Sequence, residues 1–145
     1  MMIHHLVRAK GPDVRTIPPD ATVQQAADEM ATARIGALVV AADPKGRIQG
    51  VISERDIVRG LAEYGAGVLD QPVSSLMTAD VHTCQPSDTV DTVMVVMTER
   101  RIRHLPVVEG DSMIGIVSIG DVVKHRMSEL EDERTALADY ITTGR

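Results

Sequence analysis

The sequence predicts a mixed α/β (α+β) protein: two copies of one β-α-β-β-α unit, packed through their sheets with pseudo-two-fold symmetry, and an extended C-terminal helix. An internal repeat carries most of this prediction. Displacing the 145-residue chain by 67 positions superposes ten residues of the first half on identical ones: Val14, Thr16, Pro19, Thr22, Val23, Met30, Arg34, Ile35, Leu38 and Val40. Both copies also show the same order of helical and strand-like patterns. Neither half alone buries enough surface for stability, so the two are expected to pack together.

Each copy begins with a short extended segment interrupted by proline, "VRTIPPDAT" or "VHTCQPSDT". A helix is predicted next, because apolar residues recur at i, i+3, i+4 and i+7. These are Val23, Ala26, Ala27 and Met30 in the first copy and Val90, Val93, Met94 and Met97 in the second. Thr22 and Gln25 predict a capping box at the first helix.

Two apolar strands follow in each copy, joined by a turn rich in Gly and Asp. In the first copy "ALVVA" and "RIQGVIS" flank "DPKG", and in the second "LPVVE" and "MIGIVS" flank "EGD". A second helix is predicted to begin at Ser53 and again at Ser118. The chain is therefore divided into repeat 1 (6–66), a linker rich in Gly, Pro and Ser (67–80), repeat 2 (81–127) and a helical extension (128–145).

The predicted extension carries an apolar stripe at alternating spacings of four and three, which Arg134 interrupts. Its members are Val123, Met127, Leu130, Leu137 and Ile141. A stripe of this kind needs a surface to lie against. It either folds back on its own domain or packs against a second copy of the chain.

Composition excludes several classes of function. The chain is 43% hydrophobic but lacks Phe and Trp, and its net charge of −6 and pI near 5.3 oppose nucleic-acid binding. A single cysteine excludes an internal disulfide, and no signal peptide or membrane-length apolar run is present, so we expect a soluble, cytoplasmic protein without a membrane partner. His4 and His5 lack a Cys, Asp or Glu cluster, and no metal site is predicted.

One motif, Gly-x-x-Ser-x-x-Asp, occurs in both copies, as "GVISERD" (50–56) and as "GIVSIGD" (115–121). Ser followed by an acid at a helix start is a capping box. The same Ser, with the N–H groups of a helix N-terminus, is also suited to phosphate or ribose, and the acid to two ribose hydroxyls. Glycine within a strand often marks the close approach of a ligand or of another backbone. Capping and binding are compatible, and both remain open.

With these motifs, and with "IRHLPVVEGDSMIGIVSIGD", residues from about 6 to about 127 resemble a tandem pair of cystathionine beta-synthase (CBS) domains, a Bateman module. The resemblance implies a module that binds an adenosine-containing ligand in clefts between the repeats. It implies that Asp56 and Asp121 hold ribose hydroxyls, with Ser53 and Ser118 beside ribose and phosphate. Backbone around Thr16–Ile17 and Thr83–Cys84 would hold the base, which makes Cys84 a wall residue rather than a nucleophile.

The resemblance also implies basic side chains before the second strand, facing the phosphates. Repeat 2 has Arg103 and His104 there, whereas repeat 1 has Gly36 and Ala37, for which Arg55 is the nearest substitute. We therefore expect tighter binding of phosphorylated ligands at Asp121. The full set of predicted binding residues is Thr16, Ile17, Ser53, Arg55, Asp56, Thr83, Cys84, Arg103, His104, Leu105, Pro106, Ser118, Ile119, Gly120 and Asp121.

The predicted function is a regulatory sensor of AMP, ADP, ATP or NAD that signals to an unknown partner protein by conformational change. The chain shows no acid/base pair, activated nucleophile or Walker loop, so an enzyme is not predicted. The alternatives are a structural homodimerisation module without a nucleotide, and a sensor of S-adenosylmethionine. A homodimer, with the tail adding to its interface, is expected.

Overall fold

The computed structural model describes residues 1–10, 14–43 and 47–143. Most of the predicted turn "DPKG" therefore lies outside the described residues, as do residues 11–13 of repeat 1 and the last two residues of the extension. Within the described ranges the elements are α1 (Ile3–Lys10), β1 (Thr16–Ile17), α2 (Val23–Ala33), β2 (Ala37–Ala41), β3 (Ile48–Ser53), α3 (Glu54–Tyr64), 3-10 helices at Ala66–Asp70 and Val73–Ser75, α4 (Val90–Arg100), β4 (His104–Glu109), β5 (Ser112–Ser118) and α5 (Ile119–Thr143).

Each repeat contributes one small sheet. In the first, β1 runs parallel to β2, which pairs antiparallel with β3. In the second, β4 pairs antiparallel with β5, and the predicted strand at Thr83–Cys84 is reduced to a single parallel bridge between Cys84 and Val107. This bridge corresponds to the Ile17–Val40 pair of the first sheet. The neighbouring Thr16–Val39 pair has no counterpart among the described pairs of the second sheet.

The predicted helical faces are confirmed. Of the eight residues assigned to them, six are buried and the other two, Ala27 and Met94, pack at the edge of the core. Thr22 and Gln25 form the predicted capping box, in which the Gln25 N–H donates to the Thr22 hydroxyl at 3.1 Å. Both helices end in a left-handed residue at equivalent positions, Arg34 (φ 56°) and Arg101 (φ 55°).

Each repeat has its own aliphatic core, and a segment from outside the repeat completes it. Helix α1, which begins before repeat 1 in the chain, completes the core of repeat 2: Ile3 is fully buried there, and its N–H donates to the Asp88 carbonyl at 2.8 Å. The linker does the same for repeat 1, because Val73 is fully buried in that core and its N–H donates to the Ala21 carbonyl at 2.7 Å. Each core is thus completed by a segment that begins before the other repeat in the chain.

The long C-terminal helix is present as α5, which spans 25 residues. Its apolar stripe does not fold back on its own domain, because the five predicted members are between 47% and 69% exposed. Across the described parts of the chain, no helix combines the length and apolar character needed to cross a membrane.

Candidate functional site

A cleft of about 400 Å³ opens where the two repeats meet. Its volume lies in the range of small-molecule sites. Residues from both halves of the chain line it: Val7, Lys10, Val14, Arg15, Arg34, Ile35, Gly36 and Ala37 from the first, and His104, Gly115, Ile116, Ser118 and Asp121 from the second. The structure thus brings three of the predicted site residues, His104, Ser118 and Asp121, into one cavity.

Ser118 and Asp121 stand at the junction of β5 and α5. The Ser118 N–H donates to Asp121 Oδ2 at 2.9 Å, and the Asp121 N–H donates to the Ser118 hydroxyl at 3.1 Å. This is the reciprocal capping that the motif predicts. Ser53 and Asp56 repeat the arrangement at α3, with distances of 2.8 Å and 3.2 Å, but they do not line the cleft.

Lys10, at the end of α1, reaches across to Asp121. Its Nζ lies 2.9 Å from Asp121 Oδ2 and 3.0 Å from the Ile116 carbonyl oxygen. Partial burial raises the pKa of the Asp121 carboxyl, but hydrogen bonds from Lys10 and from Ser118 outweigh this effect. The pKa therefore lies below its ordinary value, and Asp121 is an anion at neutral pH.

His104 lines the cleft beside Ser118, its partner across the β4–β5 ladder, and its ring lies against Gly36 of repeat 1. Burial, followed by the positive charge of Lys10, lowers the pKa of His104 below its ordinary value, so the ring is neutral at pH 7. Arg103, the other predicted phosphate contact, is exposed and does not line the cleft. Among the described lining residues, the cations are Lys10 and two arginines.

These arginines, Arg15 and Arg34, come from repeat 1, just before β1 and just after α2. Arg15 also lies 3.7 Å from Glu29. The sequence patterns did not indicate Lys10, Arg15 or Arg34, because each lies in the half of the chain opposite to the one that carries Ser118 and Asp121. The spacing of Ile3, Leu6 and Val7 (i, i+3, i+4) is a signal that would have predicted α1.

The motif glycines have a packing role. A Cβ on Gly115 would lie 2.9 Å from a methyl carbon of Val7 in α1, and one on Gly50 would lie 2.8 Å from the Thr78 carbonyl oxygen and 2.7 Å from the Met77 sulfur. Each glycine therefore allows the segment that completes its repeat's core to approach the strand. Close approach of protein is seen at both glycines, and Gly115 also lines the cleft.

The remaining predicted residues do not line the cleft. Cys84 is in the core of repeat 2, where burial, with the nearby charge of Asp88, raises the pKa of its thiol to about 12. The others fall into three groups: Leu105 and Pro106 are buried in β4, Ile119 and Gly120 form the start of α5, and Thr83 and Arg55 are exposed. Thr16 directly follows the lining residues Val14 and Arg15, and Ile17 lines a separate depression that is more open to solvent.

No set of three or more His, Cys, Asp or Glu side chains is placed to hold a metal ion among residues 1–10, 14–43 and 47–143.

Two stretches of the chain, residues 8–63 and 73–128, match the family model of the CBS domain. The chain belongs to the CBS domain family. The match confirms the tandem pair that the internal repeat predicts.

Several relatives of this CBS domain pair are known. The chain is 38% identical over 128 residues to the mitochondrial CBS domain-containing protein CBSX3 of Arabidopsis thaliana, a match that covers 86% of this chain and 62% of the relative. This chain therefore spans less than two thirds of that relative. A CBS-domain protein of Agrobacterium tumefaciens is 44% identical, with a TM-score of 0.82 over 86% of this chain and 92% of the other. A CBS domain protein of Pyrobaculum aerophilum, solved in complex with AMP, is 32% identical, with a TM-score of 0.73 over 83% and 89%.

Proposed function

We propose that this CBS domain pair is a regulatory module that binds an adenosine-containing nucleotide in the Asp121 cleft and signals its occupancy to another protein. One observation carries the proposal: an ionised carboxylate, fixed by Ser118 at the start of a helix, lines a cleft of about 400 Å³ between the repeats. Vicinal ribose hydroxyls are suitable donors to such a carboxylate. The relative solved with AMP supports an adenosine ligand.

The charge of the cleft supports a phosphorylated ligand. Among the described lining residues, Lys10, Arg15 and Arg34 contribute three positive charges and Asp121 one negative charge, within a chain whose net charge is −6. Glu29, 3.7 Å from Arg15, offsets part of this positive charge. AMP, ADP, ATP and NAD present phosphate to such a site. S-adenosylmethionine, the alternative ligand, carries a cationic sulfonium, which this potential disfavours.

Asp56 and Ser53 are proposed as a second, weaker site, because they share the capping geometry of Asp121 and Ser118 but not the described cleft. The base contacts expected around Thr16–Ile17 and Thr83–Cys84 stay predictions. The absence of catalytic activity also stays a prediction: the proposed module binds its ligand and changes conformation without transforming the ligand. Its single cysteine, buried and unpaired, is in keeping with a cytoplasmic location.

A homodimer is part of the proposal. Val58 of α3 and Val123 of α5 hold equivalent places in the two repeats and are 64% and 47% exposed. Tyr64 and the rest of the α5 stripe extend this exposed apolar surface, which a second copy would cover. Because Asp121 and the stripe lie on the same helix, α5, a ligand that favours one arrangement of the dimer would shift its population. A purely structural homodimerisation module is the second candidate, and the same surface favours it.

A thermal-shift screen separates the two candidates. Wild type, Asp121→Ala and Asp56→Ala are melted with AMP, ADP, ATP, NAD, NADH and S-adenosylmethionine. A ligand at a hundred times its dissociation constant stabilises the folded state by about 2.7 kcal/mol. Asp56→Ala is the matched control, because it removes the same capping carboxylate from the other repeat.

We expect a phosphorylated adenosine ligand to raise the melting temperature of wild type and of Asp56→Ala, and to raise that of Asp121→Ala by much less, because only the weaker site remains in that variant. No shift with any of the six compounds would refute nucleotide sensing and favour the structural module.

A further inference from the structure

The carboxylate proposed to hold ribose is already engaged by a cation. Asp121 Oδ2 accepts two hydrogen bonds, from the Ser118 N–H at 2.9 Å and from the Lys10 ammonium at 2.9 Å. A carboxylate oxygen offers about two acceptor positions. A ribose that donates one hydroxyl to each carboxylate oxygen must therefore displace Lys10 from Oδ2, because the Ser118 N–H belongs to the backbone cap.

Displacing Lys10 is unfavourable unless a second anion receives its ammonium. Among the described lining residues Asp121 is the one acid, while Arg15 and Arg34 add positive charge and His104 is neutral. Moving the ammonium away from its carboxylate in this potential leaves a charge-assisted hydrogen bond unreplaced. A phosphate on the incoming ligand replaces it, since phosphate is itself a strong acceptor for ammonium.

Lys10 has the freedom to make this exchange. Its side chain is 40% exposed and sits on a flexible four-carbon stem, whereas α1 itself is anchored by the fully buried Ile3. The ammonium is able to move while the helix stays packed on repeat 2.

We propose that Lys10 is the specificity-determining residue of the cleft: ligand binding transfers its ammonium from Asp121 to the ligand's phosphate, so that the cleft selects phosphorylated adenosine ligands over unphosphorylated ones. This inference rests on the proposed function of the same cleft. Adenosine is then a poor ligand, because it displaces the Lys10 ammonium from Asp121 but has no phosphate to accept its hydrogen bond.

Isothermal titration calorimetry with AMP and adenosine tests the exchange. Three full-length proteins are compared in one buffer of fixed salt: wild type, Lys10→Met and Arg8→Met. Methionine keeps an unbranched, flexible side chain while removing the charge. Arg8→Met removes a cation from the same helix at an exposed position outside the cleft lining, and is the matched control.

We expect wild type and Arg8→Met to bind AMP at least about tenfold more tightly than adenosine, since one charge-assisted hydrogen bond is at stake. In Lys10→Met the AMP dissociation constant should rise about tenfold while that of adenosine stays the same or falls. If adenosine binding is too weak to measure directly, its dissociation constant is taken from competition against bound AMP, so that both constants are compared in all three proteins.

Four results would overturn it. Either Lys10→Met keeps the AMP affinity of Arg8→Met, or its affinities for AMP and adenosine fall in parallel, which marks Lys10 as merely structural. Wild type that binds adenosine as well as AMP also refutes this inference but leaves the proposed function standing. Wild type that binds none of the screened adenosine compounds refutes both.

Discussion

Replacing Gly115 with alanine tests the contact between α1 and repeat 2. The new Cβ would lie 2.9 Å and 3.2 Å from the two methyl carbons of Val7, where ordinary van der Waals contact begins at 3.4 Å. Val7 is β-branched and stiff within a helix, and Gly115 is buried in β5, so the helix or the strand must shift. Overpacking of this kind costs about 1–3 kcal/mol. Urea unfolding followed by circular dichroism measures the loss of unfolding free energy.

Two further variants make this test specific. Gly67→Ala is the control, because no atom lies within 4 Å of a Cβ at that site, and its unfolding free energy should stay within about 0.5 kcal/mol of wild type. The double variant Val7→Ala/Gly115→Ala removes the methyl groups that clash, so its loss should be smaller than the sum of the two single losses by about 1 kcal/mol. If Gly115→Ala is as stable as Gly67→Ala, α1 does not pack on β5 as described, and a ligand again becomes the reason for the motif glycine.

Three other outcomes are expected. Ile3→Ala should lower the unfolding free energy by about 2–5 kcal/mol in urea unfolding, because Ile3 is fully buried in the core of repeat 2. The control Val95→Ala, at a 54% exposed site, should lower it by less than about 0.5 kcal/mol. Equal losses would contradict the packing of α1 on that core. The lowered pKa of Asp121 contributes stability that is present above the unfolded pKa of about 3.9 and is lost as pH falls through the folded pKa. Asp121→Asn should therefore be less stable than wild type at pH 7, by about 1 kcal/mol or less because the pair with Lys10 is partly exposed. The difference in unfolding free energy should shrink toward pH 3. A difference that stays constant with pH would show that the charge of Asp121 does not contribute to stability. Leu137→Glu/Ile141→Glu should shift the sedimentation of the proposed dimer toward monomer, because both side chains are at least 60% exposed on the single chain, and an unchanged sedimentation coefficient would exclude the tail from the interface.

Local patterns in the sequence predicted the parts of the fold that depend on near neighbours. Helical spacing selected the buried faces of α2 and α4, and the chemistry of Thr22 and Gln25 predicted their capping box. The repeated Ser-x-x-Asp motif likewise predicted the reciprocal hydrogen bonds of Ser118 and Asp121. These features follow from residues three or four positions apart, where backbone geometry alone brings the groups together.

The sequence by itself therefore determined that the protein is a tandem repeat of one α+β unit, with a long C-terminal helix. It also determined the Ser/Asp capping box at the start of each repeat's second helix. Only the tertiary structure decided which segment completes each core, and with it the charge of the cleft. Lys10 meets Asp121 across 111 positions of sequence, because Ile3 finds its apolar partners in repeat 2 rather than in the repeat that follows it. The physical reason is that hydrophobic burial is non-directional. The sequence of an apolar helix face shows that the face must be buried, but it does not show which surface buries it.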